Sequence, residues 1–446
     1  MIVHEGGFGL PFCVKAPGTF RSHSLHMQRT GREQLLPIVI IGVLFFLFGF
    51  VTWLNGTLIP YLKIACELTN FQSYLVAFAF YIAYFVMALP SAWVLKRTGL
   101  KNGMMLGLFV MAAGALLFIP AANAREYGIF LTGLFVIGTG LSILQTAANP
   151  YITIVGPIES AARRISIMGV CSKVAGALAP LVLGAVVLGD ADAFVASLEG
   201  ADQETRTMKL DELASRVITP YTIMAGALVL LGLLVRVSPL PDIDAEGEVV
   251  EKSTADDGKS VLSFPPLILG VIALFLYVGA EVIAGDTIGN YGQAQGLPLS
   301  EAKHLTSYTL MAMVVGYLIG IATIPWLISQ SKALMLSASV GIIFSVAAIF
   351  LEGYASVLFI ALLGLANALV WPAIWPLAIE GLGRHTKVGS ALLIMAIAGG
   401  ALLPLVYGGL ADVPSIGPQQ AYWILVPCYL FILWYSVKGS RIKSWN

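Results

Sequence analysis

The chain has 446 residues, of which 58% are hydrophobic and only 11% charged. Soluble domains carry roughly 25% charged residues, so a soluble enzyme or water-borne binding domain is excluded as its main body. Lysine plus arginine equals aspartate plus glutamate at 25 each, which removes the basic excess that nucleic-acid binding requires. What remains is an all-α membrane protein.

In chain order, the first stretch is MIVHEGGFGLPFCVKAPGTFRSH. It lacks the basic-then-apolar order of a signal peptide, and residues 1–33 read as a flexible cytoplasmic tail. Twelve apolar stretches follow, each long enough to cross a bilayer as a helix. They fall at about 37–62, 72–95, 102–122, 127–155, 164–189, 217–237, 264–288, 304–328, 333–351, 355–380, 387–410 and 420–438. Residues 238–263 are rich in Asp, Glu, Pro and Gly without apolar periodicity, the pattern of a mobile tether. That tether separates a half at 34–237 from a half at 264–438, and 439–446 form a short tail. The segment GADQETRTMKLDELASR, between the fifth and sixth stretches, predicts a surface helix and shows no chemistry of its own.

An even number of spans puts both termini on one side, and the charges say which. Eighteen of the 25 basic residues fall on the side of the termini, including Lys96, Arg97, Lys101, Arg163, Arg164, Lys332, Arg384 and Lys438. The opposite side holds Lys63, Arg125, Arg206, Lys209, Arg216 and Lys303. This asymmetry places both termini in the cytoplasm. The four cysteines, Cys13, Cys66, Cys171 and Cys428, form no metal-ligand spacing and read as unbridged thiols.

Two stretches carry unusual polarity. Leu134 to Pro157 holds Gln145, Thr146, Asn149 and Pro150, and Leu362 to Gly383 holds Asn367, Trp371, Pro372, Trp375 and Pro376. Polar, proline-interrupted spans at matching places in two halves point to the binding site of an alternating-access carrier. LPSAWVLKRTGLKNG (Leu89 to Gly103) and IPWLISQSKALMLSA (Ile324 to Ala338) match in the same way. No nucleotide-binding segment, catalytic cluster or carbonyl filter stands out.

Several long motifs then point to a family. FLFGFVTWLNGTLIPYLK (Phe46 to Lys63), the run from Leu68 to Gly99, QTAANPYITIVGP (Gln145 to Pro157) and LYVGAEVIAGDTIGNYG (Leu276 to Gly292) occur in order. With them the chain resembles the fucose permease and glucose/galactose permease group of the major facilitator superfamily. The resemblance implies the major facilitator fold, with 12 transmembrane helices in two six-helix halves, in a bacterial inner membrane. It implies sugar symport, without enzymatic activity or cofactor, in partnership with a small neutral sugar and the bilayer, as a monomer. The seventh-stretch motif is similar to those of the glucose/galactose and N-acetylglucosamine branches. Where the fucose permease pattern has acids, this chain has Gly56 and Gln145, which argues against L-fucose. The expected substrate is glucose or galactose, with N-acetylglucosamine as the alternative.

A sugar ring needs amides to orient its hydroxyls and aromatic planes for its C–H faces. Asn55, Gln145, Asn149, Asn290 and Asn367 supply amides, and Trp53, Tyr291, Trp371 and Trp375 supply planes. Gln145 and Asn149 are four residues apart, on one helical face. For each amide the competing role is a helix–helix hydrogen bond; Gly56, Gly138, Gly140 and Gly364 read as close-packing positions. Lys173, Glu281 and Asp286 are ionisable residues within predicted spans, where charge is expensive and functional by default. Glu281 is expected to carry a coupling proton, or to pair with Lys173 as a structural or gating bridge. Asp286 is the next candidate, or lies near the outer end within reach of water. If sodium couples instead, Glu281 and Asp286 would ligate it.

Overall fold

The computed structural model describes residues 31–154, 161–240, 260–324, 327–382 and 385–445. The fold among them is helical throughout. Because the chain repeats apolar residues on every face, its long helices expose leucine, valine and aromatic side chains around the outside, Leu89, Trp93, Ile223 and Leu318 among them. A water-facing surface would not tolerate that belt; hydrocarbon does.

The first apolar stretch forms α1 (Gly31–Trp53) and α2 (Asn55–Ala65), joined at Leu54. Next come α3 (Asn70–Ser73), α4 (Leu75–Leu116), α5 (Phe118–Ala124) and α6 (Tyr127–Ile154). Thr69 and Gln72 close a reciprocal capping box on α3, satisfying two otherwise free donors. α7 (Ala161–Val187) leads to two short helices, α8 (Ala191–Leu198) and α9 (Gln203–Ser215), and then α10 (Ile218–Val237). α9 is the surface helix predicted there, capped by Asp202, which accepts from the Thr205 N–H at 3.3 Å.

Most of the expected tether lies outside the described residues, and after it α11 (Pro265–Asp286) opens on prolines where missing donors cost nothing. It is followed by α12 (Ile288–Ala294), α13 (Leu299–Ala302), α14 (Leu305–Thr323) and α15 (Gln330–Phe350). The last group is α16 (Gly353–Asn367), α17 (Val370–Ile379), α18 (Thr386–Met395), α19 (Gly399–Ala411), α20 (Gly417–Gln420) and α21 (Leu425–Val437).

Among the described residues, eleven helical stretches are long and apolar enough to cross a membrane. The sequence predicts twelve. One stretch, Asn70–Ala124, runs for 55 residues, far beyond bilayer thickness, and turns at Gly99 with φ of 73°. Only glycine adopts that backbone without strain. Nearby, Lys101 is buried and donates from Nζ to the Ser238 carbonyl at 2.8 Å, closing the end of α10.

Helices before residue 240 pack chiefly on one another, as do those after 260; α7 on α14 and α4 on α19 join the two groups. Close approach depends on small residues. A Cβ at Gly140 would lie 2.4 Å from the Gly107 carbonyl oxygen, and one at Gly364 1.9 Å from that of Thr309. Gly138 faces the Phe80 carbonyl in the same way. These are the packing roles expected for them. Gly140→Val should therefore destabilise the protein by about 1–3 kcal/mol, the usual cost of overpacking. Gly226→Val, at a position open to its surroundings, should leave the unfolding temperature of detergent-solubilised protein unchanged.

Candidate functional site

Among the described residues, three span interruptions lie beside a buried polar side chain, while those at Leu117 and Ala396–Ala398 fall among apolar residues. Asn55 and Gly56, both poor helix formers, follow the interruption at Leu54. Thr287, after Asp286, donates its hydroxyl back to the Ile283 carbonyl at 2.7 Å and meets the Tyr422 hydroxyl at 2.9 Å. Such back-bonding bends helices. The interruption at Ala368–Leu369 follows Asn367, because Pro372 has no N–H for the carbonyl four residues earlier.

Asn55 is 1% exposed and its amide nitrogen has no hydrogen-bond partner. Asn290, 5% exposed, donates to Ser73 Oγ and Tyr74 OH, both at 3.4 Å, leaving its oxygen unpaired. Asn367 is fully buried; its oxygen accepts from Tyr429 OH at 2.9 Å and its nitrogen is unpaired. Gln145 is half-buried and donates to Tyr84 OH at 3.3 Å. The side chain of Asn149 lies outside the described residues. Buried amides with a free donor or acceptor are the groups a hydroxyl-rich ligand can satisfy.

Trp371 and Trp375 stack on each other, centroids 5.6 Å apart and planes 24° apart, and remain half-buried. Tyr291 is almost fully buried, edge-on to Tyr422 at 4.8 Å, with its hydroxyl bonded to Ser356; it is packing for α12 rather than an open plane. Trp53, 4% exposed, fits between α7 and α11 because Gly176 and Gly285 face it: a Cβ on either would come within 2.5 Å of the indole.

The ionisable residues fall into two environments. Lys173 Nζ donates to Glu281 Oε1 at 2.7 Å across the seam between α7 and α11, and lies 5.0 Å from the centre of the Trp53 ring. Asp286 is fully buried, with neither oxygen hydrogen-bonded. The reading that water reaches Asp286 near the outer end does not hold, since the side chain is fully enclosed. Arg163 and Arg164 have side chains outside the described residues. Cys66, Cys171 and Cys428 are free thiols.

The structure thus joins Lys173 to Glu281 and Trp371 to Trp375. It ties Gln145 and Asn367 to tyrosines of their own groups of helices rather than to each other. Tyr84 and Tyr429 are the residues missed in the sequence; the signal for the first was the repeat in FAFYIAYF, which places Tyr81 and Tyr84 one turn apart.

Comparison with known proteins agrees with this architecture. Residues 41–404 match the Major Facilitator Superfamily. The chain belongs to that superfamily. It is a multi-pass membrane transporter, not an enzyme. It is 36% identical over 424 residues to a glucose/galactose transporter of Brucella abortus, covering 94% of this chain and 98% of that one. It is 31% identical to an L-fucose-proton symporter of Escherichia coli, over 93% of this chain and 94% of that one. A solved Major Facilitator Superfamily transporter, FucP, in the outward conformation, superposes with a TM-score of 0.67 at 28% identity, over 91% of this chain and 99% of that one.

The pairing of Lys173 with Glu281 has a direct consequence. Removing one partner strands the other charge in the interior, at a cost of about 3–5 kcal/mol, whereas removing both does not. Lys173→Met should sharply lower the unfolding temperature, and Lys173→Met with Glu281→Gln should recover most of the loss.

Proposed function

We propose that this transporter moves a neutral hexose, glucose or galactose, inward together with a proton by alternating access. The observation that carries the reading is the set of enclosed, incompletely paired polar groups beside the interruptions of three spans: Asn55, Asp286, Asn290 and Asn367. The names of the relatives support a hexose and a proton. Dividing the 55-residue stretch at Gly99 gives twelve spans, six on each side of the tether. The excess of basic residues on the side of the termini puts those termini in the cytoplasm, and the relatives' bacterial hosts favour an inner membrane.

In this reading Asn55, Gln145, Asn149, Asn290 and Asn367 orient the sugar hydroxyls, and the Trp371–Trp375 stack offers it an apolar face. Lys173, Glu281 and Asp286 form the coupling group. The Lys173 bridge neutralises Glu281, so Asp286 is the carboxylate we assign to the proton. Enclosed without a donor, its charge costs several kcal/mol, and proton binding removes that cost. A carrier that reorients only with the carboxylate neutral and the sugar bound, or with both sites empty and rehydrated, couples the two fluxes.

Uptake into proteoliposomes under an imposed pH gradient, with and without sodium, tests the coupling ion; accumulation that followed sodium alone would defeat the proton reading. A competition panel against labelled glucose tests the substrate, and displacement only by N-acetylglucosamine would replace it. Asp286→Asn should abolish gradient-driven accumulation while sparing sugar counterflow. Full accumulation by that variant would return the role to Glu281.

Gln145→Ala should weaken sugar binding by about 1–3 kcal/mol, the loss expected when a buried hydroxyl is left unpaired. Titration calorimetry on the purified variant reads this directly, and unchanged affinity would leave Gln145 as a helix-packing residue bonded to Tyr84.

A further inference from the structure

Two carboxylates outside the set assigned to sugar and proton join the two halves at one end of the bundle. Asp192, on α8, accepts from the backbone N–H of Leu299 at 2.7 Å and of Ser300 at 3.3 Å. Asp412, just past α19, accepts from the N–H of Asn70 at 3.1 Å, the Asn70 side-chain amide at 2.7 Å and the N–H of Phe71 at 2.8 Å. Lys63 Nζ donates to the Asn70 side-chain oxygen at 2.7 Å, which holds the amide with its NH2 toward Asp412.

The two contacts repeat one design. The segment after the fifth span reaches the start of the eighth, and the segment after the eleventh reaches the start of the second. Each contact therefore sits six spans on from the other, with donor and acceptor halves exchanged. The same end is sealed around them. Lys303 donates to the Leu188 carbonyl at 2.7 Å, and Tyr74 packs on Tyr407 with centroids 5.7 Å apart. With the termini cytoplasmic, this is the outer end.

We propose that Asp192 and Asp412 are a matched pair of latches that hold the outer end shut and set the balance between inward-open and outward-open states. The proposal rests on the alternating-access reading above. Opening that end requires each carboxylate to exchange backbone donors in the opposite half for water. Bonds to an ionised acceptor are stronger than neutral ones, but both carboxylates are exposed and water repays part of the loss. Each latch should shift the balance by roughly three- to tenfold.

The test is a distance measurement between spin labels at Met208 and Glu352, on opposite halves at the outer end, in full-length cysteine-free protein in lipid vesicles without sugar. Asp192→Ala and Asp412→Ala should each raise the long-distance population roughly three- to tenfold, and the double variant should multiply the two effects. Asp202→Ala is the control. That carboxylate lies at the same end, but its bond to the Thr205 N–H stays within one half, so its loss should change nothing. Should an alanine variant fail to fold, Asp192→Asn with Asp412→Asn, which keep shape and one acceptor oxygen, should show a smaller shift in the same direction. A wild-type distribution in the double variant, or an equal shift from Asp202→Ala, would overturn the proposal. A failure of added glucose to move the distribution would count against the substrate assignment and leave the latches standing.

Discussion

In hydrocarbon every backbone N–H and C=O must find a partner inside its own helix, because water is not there to replace it. The rest of this structure follows from where that rule is kept and where it bends. Through most of their length the helices keep it, and their outer faces present mainly apolar side chains; exposed Thr132 and Thr222 turn their hydroxyls back to their own helix carbonyls. At Leu54, Thr287 and Ala368–Leu369 the torsions stay helical while the regular ladder is interrupted. Those places are also where Asn55, Asp286 and Asn367 are enclosed. At these three places backbone irregularity and buried side-chain polarity coincide, whereas the breaks at Leu117 and Ala396–Ala398 fall among apolar residues.

The seam between the halves is built to come apart. Trp53 sits against Gly176 of α7 and Gly285 of α11, with Ala177, Leu310 and Met313 packed around it. Among the described residues, one ion pair, Lys173–Glu281, crosses the seam at depth. Its geometry is good, but a buried pair gains little net energy over apolar packing. Neither contact commits the halves to one arrangement, which fits a protein that must pass between two.

The sequence carried the fold further than the site. Hydropathy located the spans, Gly138, Gly140 and Gly364 marked close helix contacts, and Gln145 and Asn367 marked two spans as polar inside. Each of these signals is local: it depends on a residue and its own helix. The reading of Asp286 failed because its full burial is a product of tertiary packing that the pattern of its own helix does not record.

Asp192 lies on the short helix α8 between two spans, and an acidic residue at such a place is unremarkable until its partner is known. The same holds for Glu281, whose partner is 108 residues away, and for Gln145, whose partner is Tyr84. Composition and hydropathy by themselves determined that this chain is a bundle of membrane helices with polar residues inside some of its spans. Only the tertiary structure decided which carboxylate is paired and which is alone. The physical reason is that lipid immersion makes helix faces read alike as apolar, so the pattern records depth in the membrane but not which face meets which neighbour.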